Sequence, residues 1–185
     1  IYPMVESVGT ALRQAGFQVA SIITTTGFVT ADFGQWPSMS QMILVALMFL
    51  GACAGSTGGG LKVGRMIILV KAAFRELRRA INPNRVKAIK LDGAVVEKDV
   101  VTTTSTYFVI YMLIIALSSL LLTIYNFDIT TPLTAVITCI NNVGPGLACV
   151  GPVENFADFS NFSKLVLAAN MLIGRLEIFP IIVLF

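Results

Sequence analysis

The chain has 185 residues, 56% of them hydrophobic and only 12% charged, with a net charge of +3 and a mean hydropathy of +0.83. Soluble domains carry roughly 25% charged residues, so this composition excludes disorder and argues against a soluble single-core domain. Histidine is absent, which removes His-based metal sites and His acid–base catalysis. Cys53, Cys139 and Cys149 show no CxxC or metal-like spacing and read as small buried hydrophobes. The chain opens at Ile1 without a basic n-region and closes in the apolar run Ile181–Phe185, so it is expected to be part of a longer chain.

In chain order, Thr10–Ile23 is a short amphipathic segment ended by Thr24-Thr25-Thr26-Gly27-Phe28. Ser38–Ala54 is apolar and then meets Gly55-Ser56-Thr57-Gly58-Gly59-Gly60. The apolar run resumes as Val63–Val70, with Lys62 and Arg65 embedded. Three consecutive glycines strongly disfavour helix, so this reads as a spanning helix interrupted at its centre. A phosphate-cradle reading fails: Leu61 separates Gly60 from Lys62, and no Ser or Thr follows the Lys. Gly51, Gly55 and Gly59 also have GxxxG helix-packing spacing.

Ten of the 13 basic residues lie between Lys62 and Lys98. The positive-inside rule makes that stretch cytoplasmic. Asp32, Asp128, Glu154 and Asp158 occupy three other loops, expected on the opposite side. Apolar flanks favour a cytoplasmic loop over a nucleic-acid surface, and Asn82-Pro83-Asn84 at its centre signals a turn.

Val100–Tyr125 is 26 residues without a charge, a full span. Thr131–Ile140 is a half-span, with Pro132 in the tolerated first turn. Asn141-Asn142-Val143-Gly144-Pro145-Gly146 stops it. Phe162–Phe185 can span back, with Arg175 and Glu177 near its middle. An Arg at the bilayer centre costs roughly 2.5–3.5 kcal/mol, so Arg175 should face water or a partner. It could form an electrostatic barrier in a cation path, tether the glycine tract, or pair with a carboxylate. Glu177 is a poor partner, because i and i+2 point apart on a helix.

Two blocks thus share one plan: short helix, polar Gly-containing stretch, acidic loop, long helix. Met48-Phe49-Leu50-Gly51 registers with Met171-Leu172-Ile173-Gly174 in the two long helices. Backbone at membrane depth must be helical unless it lines a cavity or is buried in protein. A half-span helix followed by a Gly-bearing extended stretch is the arrangement of an ion filter, where carbonyls replace a hydration shell. Gly27 and Gly144 permit the positive φ that turns successive carbonyls toward one axis. Helix C-termini nearby favour a cation. The expected fold class is an all-α integral membrane protein of helix–pore loop–helix repeats, like potassium channels.

These residues resemble the Trk/Ktr/HKT superfamily of potassium transporters, most closely its bacterial TrkH type. The carriers are Thr24–Phe28 with Ala31-Asp32-Phe33, then Gly55–Lys62, Asn142–Gly146 and Gly174-Arg175-Leu176-Glu177. The family has four pore units in one chain. The resemblance implies that this sequence is the third unit without its first helix, over 1–61, then a cytoplasmic basic continuation and loop over 62–99, then the fourth unit over 100–185. It implies a potassium filter at Thr25, Thr26, Gly27 and Phe28 and at Asn142, Val143, Gly144 and Pro145. It places an intramembrane gating loop at Gly55, Ser56, Thr57, Gly58, Gly59 and Gly60, and makes Arg175 the conducting-path arginine. The implied function is potassium uptake across the cytoplasmic membrane. K+ is then the transported ion, with no cofactor bound by this chain. Implied partners are a second copy in a homodimer, the lipid bilayer, and a cytoplasmic nucleotide-binding regulatory subunit of TrkA type. The 62–99 stretch is a reasonable contact for that subunit. A helical membrane scaffold without its own ion pathway is the alternative. An intramembrane enzyme is disfavoured, because the cysteines lack an evident base.

Overall fold

The computed structural model describes residues 7–51, 58–81, 89–91, 94–124 and 128–176. Among the described residues, six α-helices and two small strand pairs follow one another.

Helix α1 (Val8–Ile23) begins at Ser7, whose hydroxyl accepts the Thr10 N–H at 3.2 Å. This supplies a partner for one of the N–H groups that a helix start leaves orphaned. The helix ends at Thr24, whose hydroxyl bonds back to the Ala20 carbonyl at 2.7 Å. A 3-10 turn at Phe33–Gln35 is capped by the Asp32 carboxylate, which accepts from Gly34 N at 3.0 Å. Phe33 is fully buried beneath it and meets Trp36 edge-on. Helix α2 (Ser38–Met48) follows and packs along α1.

The apolar run Ser38–Ala54 does not stay helical to its end. Leu50–Gly51 forms strand β1, paired in parallel with strand β2 (Leu61–Lys62). A Cβ on Gly51 would lie 2.5 Å from the Gly59 carbonyl oxygen, so only glycine permits this crossing. The expected register of two long helices is therefore broken on one side: Gly51 is extended where Gly174 is helical. Of the glycine tract, Gly58–Gly60 is non-helical, with Gly60 at φ 80°. Gly55, Ser56, Thr57 and Cys53 lie outside the described residues.

The basic stretch is more ordered than a loop. Helix α3 (Val63–Ile81) runs through it, and strands β3 (Lys90–Leu91) and β4 (Ala94–Val95) form a short antiparallel pair. Lys71 Nζ donates to the Lys90 carbonyl at 2.7 Å. Ile68, Ala72, Ile89 and Val101 close a small apolar cluster between α3, this pair and the next helix. The expected Asn82-Pro83-Asn84 turn lies outside the described residues.

Helix α4 (Lys98–Thr123) is the one helix, among the described residues, long and apolar enough to cross a membrane. Its hydroxyl-rich start is tolerated because Thr102, Thr104 and Ser105 each donate to a carbonyl one turn back, at 3.1, 2.7 and 3.0 Å. Helix α5 (Thr130–Ile140) is the expected half-span. Pro132 sits in its first turn, where no intrahelical N–H is required. From Thr131 onward every α5 residue but Leu133 is buried, beneath α2, α4 and α6 (Asn161–Leu176). Ser118 and Asn170 form a buried hydrogen bond of 3.1 Å between α4 and α6. Cys139 is buried, as expected. Cys149 is exposed, against expectation, because it sits in a 3-10 turn (Ala148–Val150) after α5 rather than in a helix.

Helix α6 approaches α5 closely at Gly174, where a Cβ would fall on the Ile140 carbonyl oxygen. Gly174→Leu must push α6 off α5 and should cost about 1–3 kcal/mol, the usual range for overpacking. Thermal unfolding of the detergent-solubilised protein reads this, and an unchanged Tm would contradict the packing.

Candidate functional site

The two non-helical stretches after α1 and α5 are built alike. After α1, Thr25 has φ 52° and Gly27 φ 77°; after α5, Asn142 has φ 54° and Gly144 φ 113°. Each pair places left-handed residues two apart. Only the second of each pair is glycine, and the non-glycine members carry the strain that left-handed φ imposes on L-residues. The turn hydrogen bonds repeat as well. Thr25 N donates to Ile22 O at 3.0 Å and Thr26 N to Ser21 O at 2.9 Å. Asn142 N donates to Cys139 O at 3.1 Å and Val143 N to Thr138 O at 3.0 Å.

One hydroxyl in each short helix ties the extended stretch to it. Ser21 Oγ donates to the Phe28 carbonyl at 2.7 Å. Thr138 Oγ1 donates to the Pro145 carbonyl at 3.1 Å and accepts the Gly144 N–H at 2.9 Å. Aligning Gly27 with Gly144 superposes Ser21 on Thr138 and Phe28 on Pro145. Sequence reasoning missed these two hydroxyls. The aligned Ser/Thr pair was the available signal, and it is faint because isolated hydroxyls are common in apolar helices.

The two stretches abut. A Cβ on Gly27 would collide with the Val143 carbonyl oxygen and lie 3.4 Å from Pro145 Cδ. Gly144 faces the Gly27 Cα at a distance that would leave a Cβ 3.9 Å away. The C-terminal ends of α1 and α5 are thus brought to one place. Phe28 and Gly144 are exposed, Thr25, Gly27, Asn142 and Pro145 half-buried, and Val143 buried.

The described part of the glycine tract lies against the end of α5. A Cβ on Gly59 would stand 2.5 Å from the Asn141 carbonyl oxygen, and one on Gly60 would overlap Asn141 Oδ1. Asn141 is fully buried, and its Nδ2 donates to the Ile137 carbonyl at 2.8 Å. Asn142 Nδ2 donates to the Met171 carbonyl of α6 at 3.3 Å. Arg175 follows Gly174 in the last described turn of α6 and is exposed. It therefore stands one residue beyond the contact between α6 and the end of α5. Glu177 lies outside the described residues. Among the described residues no group of three or more His, Cys, Asp or Glu could hold a metal ion. The oxygen that faces the junction of the two stretches is the Val143 carbonyl, a hard ligand without formal charge.

Two half-span helices, each followed by a kinked Gly-bearing stretch, define an all-α integral membrane protein of the helix–pore loop–helix class. A family model for the TrkH cation transport protein matches residues 4–185, and the chain belongs to that family. It is 41% identical to the "Trk system potassium uptake protein TrkH" of Salmonella typhimurium over 180 residues, which is 97% of this chain and 37% of that protein. It is 40% identical to the Escherichia coli K12 protein of the same name, over 94% of this chain and 36% of that one. Its fold matches the crystal structure of the potassium transporter TrkH from Vibrio parahaemolyticus with a TM-score of 0.89 and 38% identity, over 98% of this chain and 38% of that chain. The chain spans little more than a third of the length of these relatives.

The hydroxyl ties can be tested separately from transport. Thr138→Val keeps the shape of the side chain but removes two part-buried hydrogen bonds, to the Gly144 N–H and the Pro145 carbonyl, which should cost about 1–3 kcal/mol. Ser21→Ala removes one bond and should cost about 1 kcal/mol. Thermal unfolding in detergent should rank Thr138→Val as the more destabilising; the reverse order would contradict the two-bond geometry.

Proposed function

We propose that this chain forms part of a potassium-uptake pathway across the cytoplasmic membrane, as a portion of a Trk-type transporter. The observation that carries this reading is the abutment of two stretches with the same left-handed pattern, Thr25/Gly27 and Asn142/Gly144. Alternating left-handed positions turn successive carbonyls to one side of a strand. Two such strands meeting side by side concentrate main-chain oxygens, and these can replace the hydration shell of an alkali cation. The negative ends of the α1 and α5 dipoles add to the attraction.

In this reading Thr25, Thr26, Gly27 and Phe28 form one wall of the filter, and Asn142, Val143, Gly144 and Pro145 its neighbour. The glycine tract, seated under Asn141, obstructs the path beneath the filter and acts as its gate. Arg175, close to the base of the second stretch, supplies a positive barrier to cations. The basic 62–99 segment lies on the cytoplasmic side and offers α3 and the β3–β4 pair to a nucleotide-binding regulatory subunit of TrkA type. The intact protein is a homodimer. The chain moves an ion and catalyses no covalent chemistry.

Replacing Gly27 or Gly144 by Ser in the intact protein should lower the K+/Na+ selectivity of uptake, because a Cβ at a left-handed position reorients the adjacent carbonyl. Flux assays in liposomes read the ratio, and unchanged selectivity in both variants would overturn the filter assignment. Arg175→Ala should raise the maximal K+ flux, and an unaltered or reduced flux at normal expression would remove Arg175 from the barrier role.

A further inference from the structure

Asn141 joins the second kinked stretch to α5 and packs against both Gly59 and Gly60 of the glycine tract, and a side chain of α4 holds it from behind. The Tyr111 hydroxyl donates to Asn141 Oδ1 at 2.8 Å in a fully buried contact. The opposite end of the same carboxamide is held by Nδ2 donating to Ile137 O at 2.8 Å. Those two bonds fix the amide plane, and the oxygen they orient is the atom that Gly60 packs against. Tyr111 is itself held in place. Tyr107 stacks on it with centroids 6.3 Å apart and ring planes 10° apart, and Phe49 meets its edge at 6.4 Å. Phe49 directly follows α2 and precedes β1, so it stands upstream of the glycine tract.

The same tyrosine pair reaches the downstream side of the tract. The Arg65 guanidinium carbon lies 4.4 Å from the Tyr107 ring centroid, a cation–π distance. Arg65 is in the first turn of α3, directly after β2. Phe49, Asn141 and Arg65 thus meet one aromatic stack on α4 from three directions: before the tract, beneath the filter, and after the tract.

We infer that Tyr111 is a positioning residue, which orients Asn141 as the seat of Gly59 and Gly60 and so sets how firmly this end of the glycine tract is held against α5. This rests on the filter and gate reading above and deepens it, by naming what the gate rests on. Without the hydroxyl, Asn141 Oδ1 loses its donor, and the carboxamide can rotate into the space that Gly60 occupies. The tract then loses its seat while the main chain of Asn142–Gly144 keeps its own bonds to α5.

The test uses the intact protein in liposomes. Tyr111→Phe, which keeps the ring and its stacking, should raise maximal K+ uptake about fivefold, the weight of one hydrogen bond, with KM and K+/Na+ selectivity unchanged. Arg65→Gln should raise uptake in the same direction through the other side of the stack. Tyr111→Phe placed in an Asn141→Ala background should add nothing further, since the seat is already gone. An unchanged maximal rate in a folded Tyr111→Phe protein overturns the proposal. So does a shift in KM or selectivity of the same size, which would assign Tyr111 to the filter, or a full effect surviving in the Asn141→Ala background. Gly144→Ser, measured alongside, keeps the two readings apart. If it alters selectivity while Tyr111→Phe does nothing, the seat is wrong and the filter stands. If it leaves selectivity unchanged, the filter reading itself has failed.

Discussion

The structure depends on satisfying main-chain N–H and C=O groups where a membrane offers no water to do it. A helix solves this within itself, and any other conformation needs borrowed partners. Among the described residues, the chain leaves the helix beside the packed bundle after α1, after α5 and on either side of the β1–β2 pair. The first two are supplied alike and the third by strand pairing. Ser21 and Thr138 provide hydroxyls, the ends of α1 and α5 provide carbonyls, and the β1–β2 pair provides a short ladder. The close approaches at Gly27, Gly51, Gly59 and Gly174 follow from the same need, since the borrowed partners lie where a side chain would otherwise be.

The two related blocks are not equivalent in how tightly they are held. Thr138 makes two bonds to its stretch, whereas Ser21 makes one. Helix α5 is buried nearly throughout, while α1 exposes Val8, Leu12 and Phe17. The described glycine tract rests on Asn141 of the second block. In the proposed reading, the second stretch is the stiffer wall and also the one that senses the gate. The second block is thus the more tightly bonded and buried, the first the more accessible.

Much of the fold was legible because its signals are strong and local. The uncharged Val100–Tyr125 run maps onto α4, and the stop at Asn141–Gly146 sets the end of α5. The left-handed glycines at positions 27 and 144 were expected because Gly sits where a half-span helix gives way. The reach of α2 was misread. Ser38–Ala54 is apolar enough for a helix throughout, but the described chain leaves it after Met48, where Leu50 pairs in parallel with Leu61, a tertiary contact. The helix in the basic stretch was under-read because charge density dominated the pattern, although Ile68 and Ala72 carry a buried face. The roles of Ser21, Thr138, Tyr111 and Asn141 were invisible for a different reason. Each is one polar group in an apolar helix or at its end, and its partner lies in a stretch whose path no periodicity describes.

The parallel pairing of Leu50 with Leu61 has a mechanical consequence. It brings the point where the chain departs from α2 beside the point where it enters α3, so the excursion between them begins and ends at one pinned doorway. The entropy of closing that excursion is already spent in the folded protein. The last turn of α2 and the first turn of α3 are therefore coupled through main-chain hydrogen bonds, and a displacement of one helix end carries the other with it.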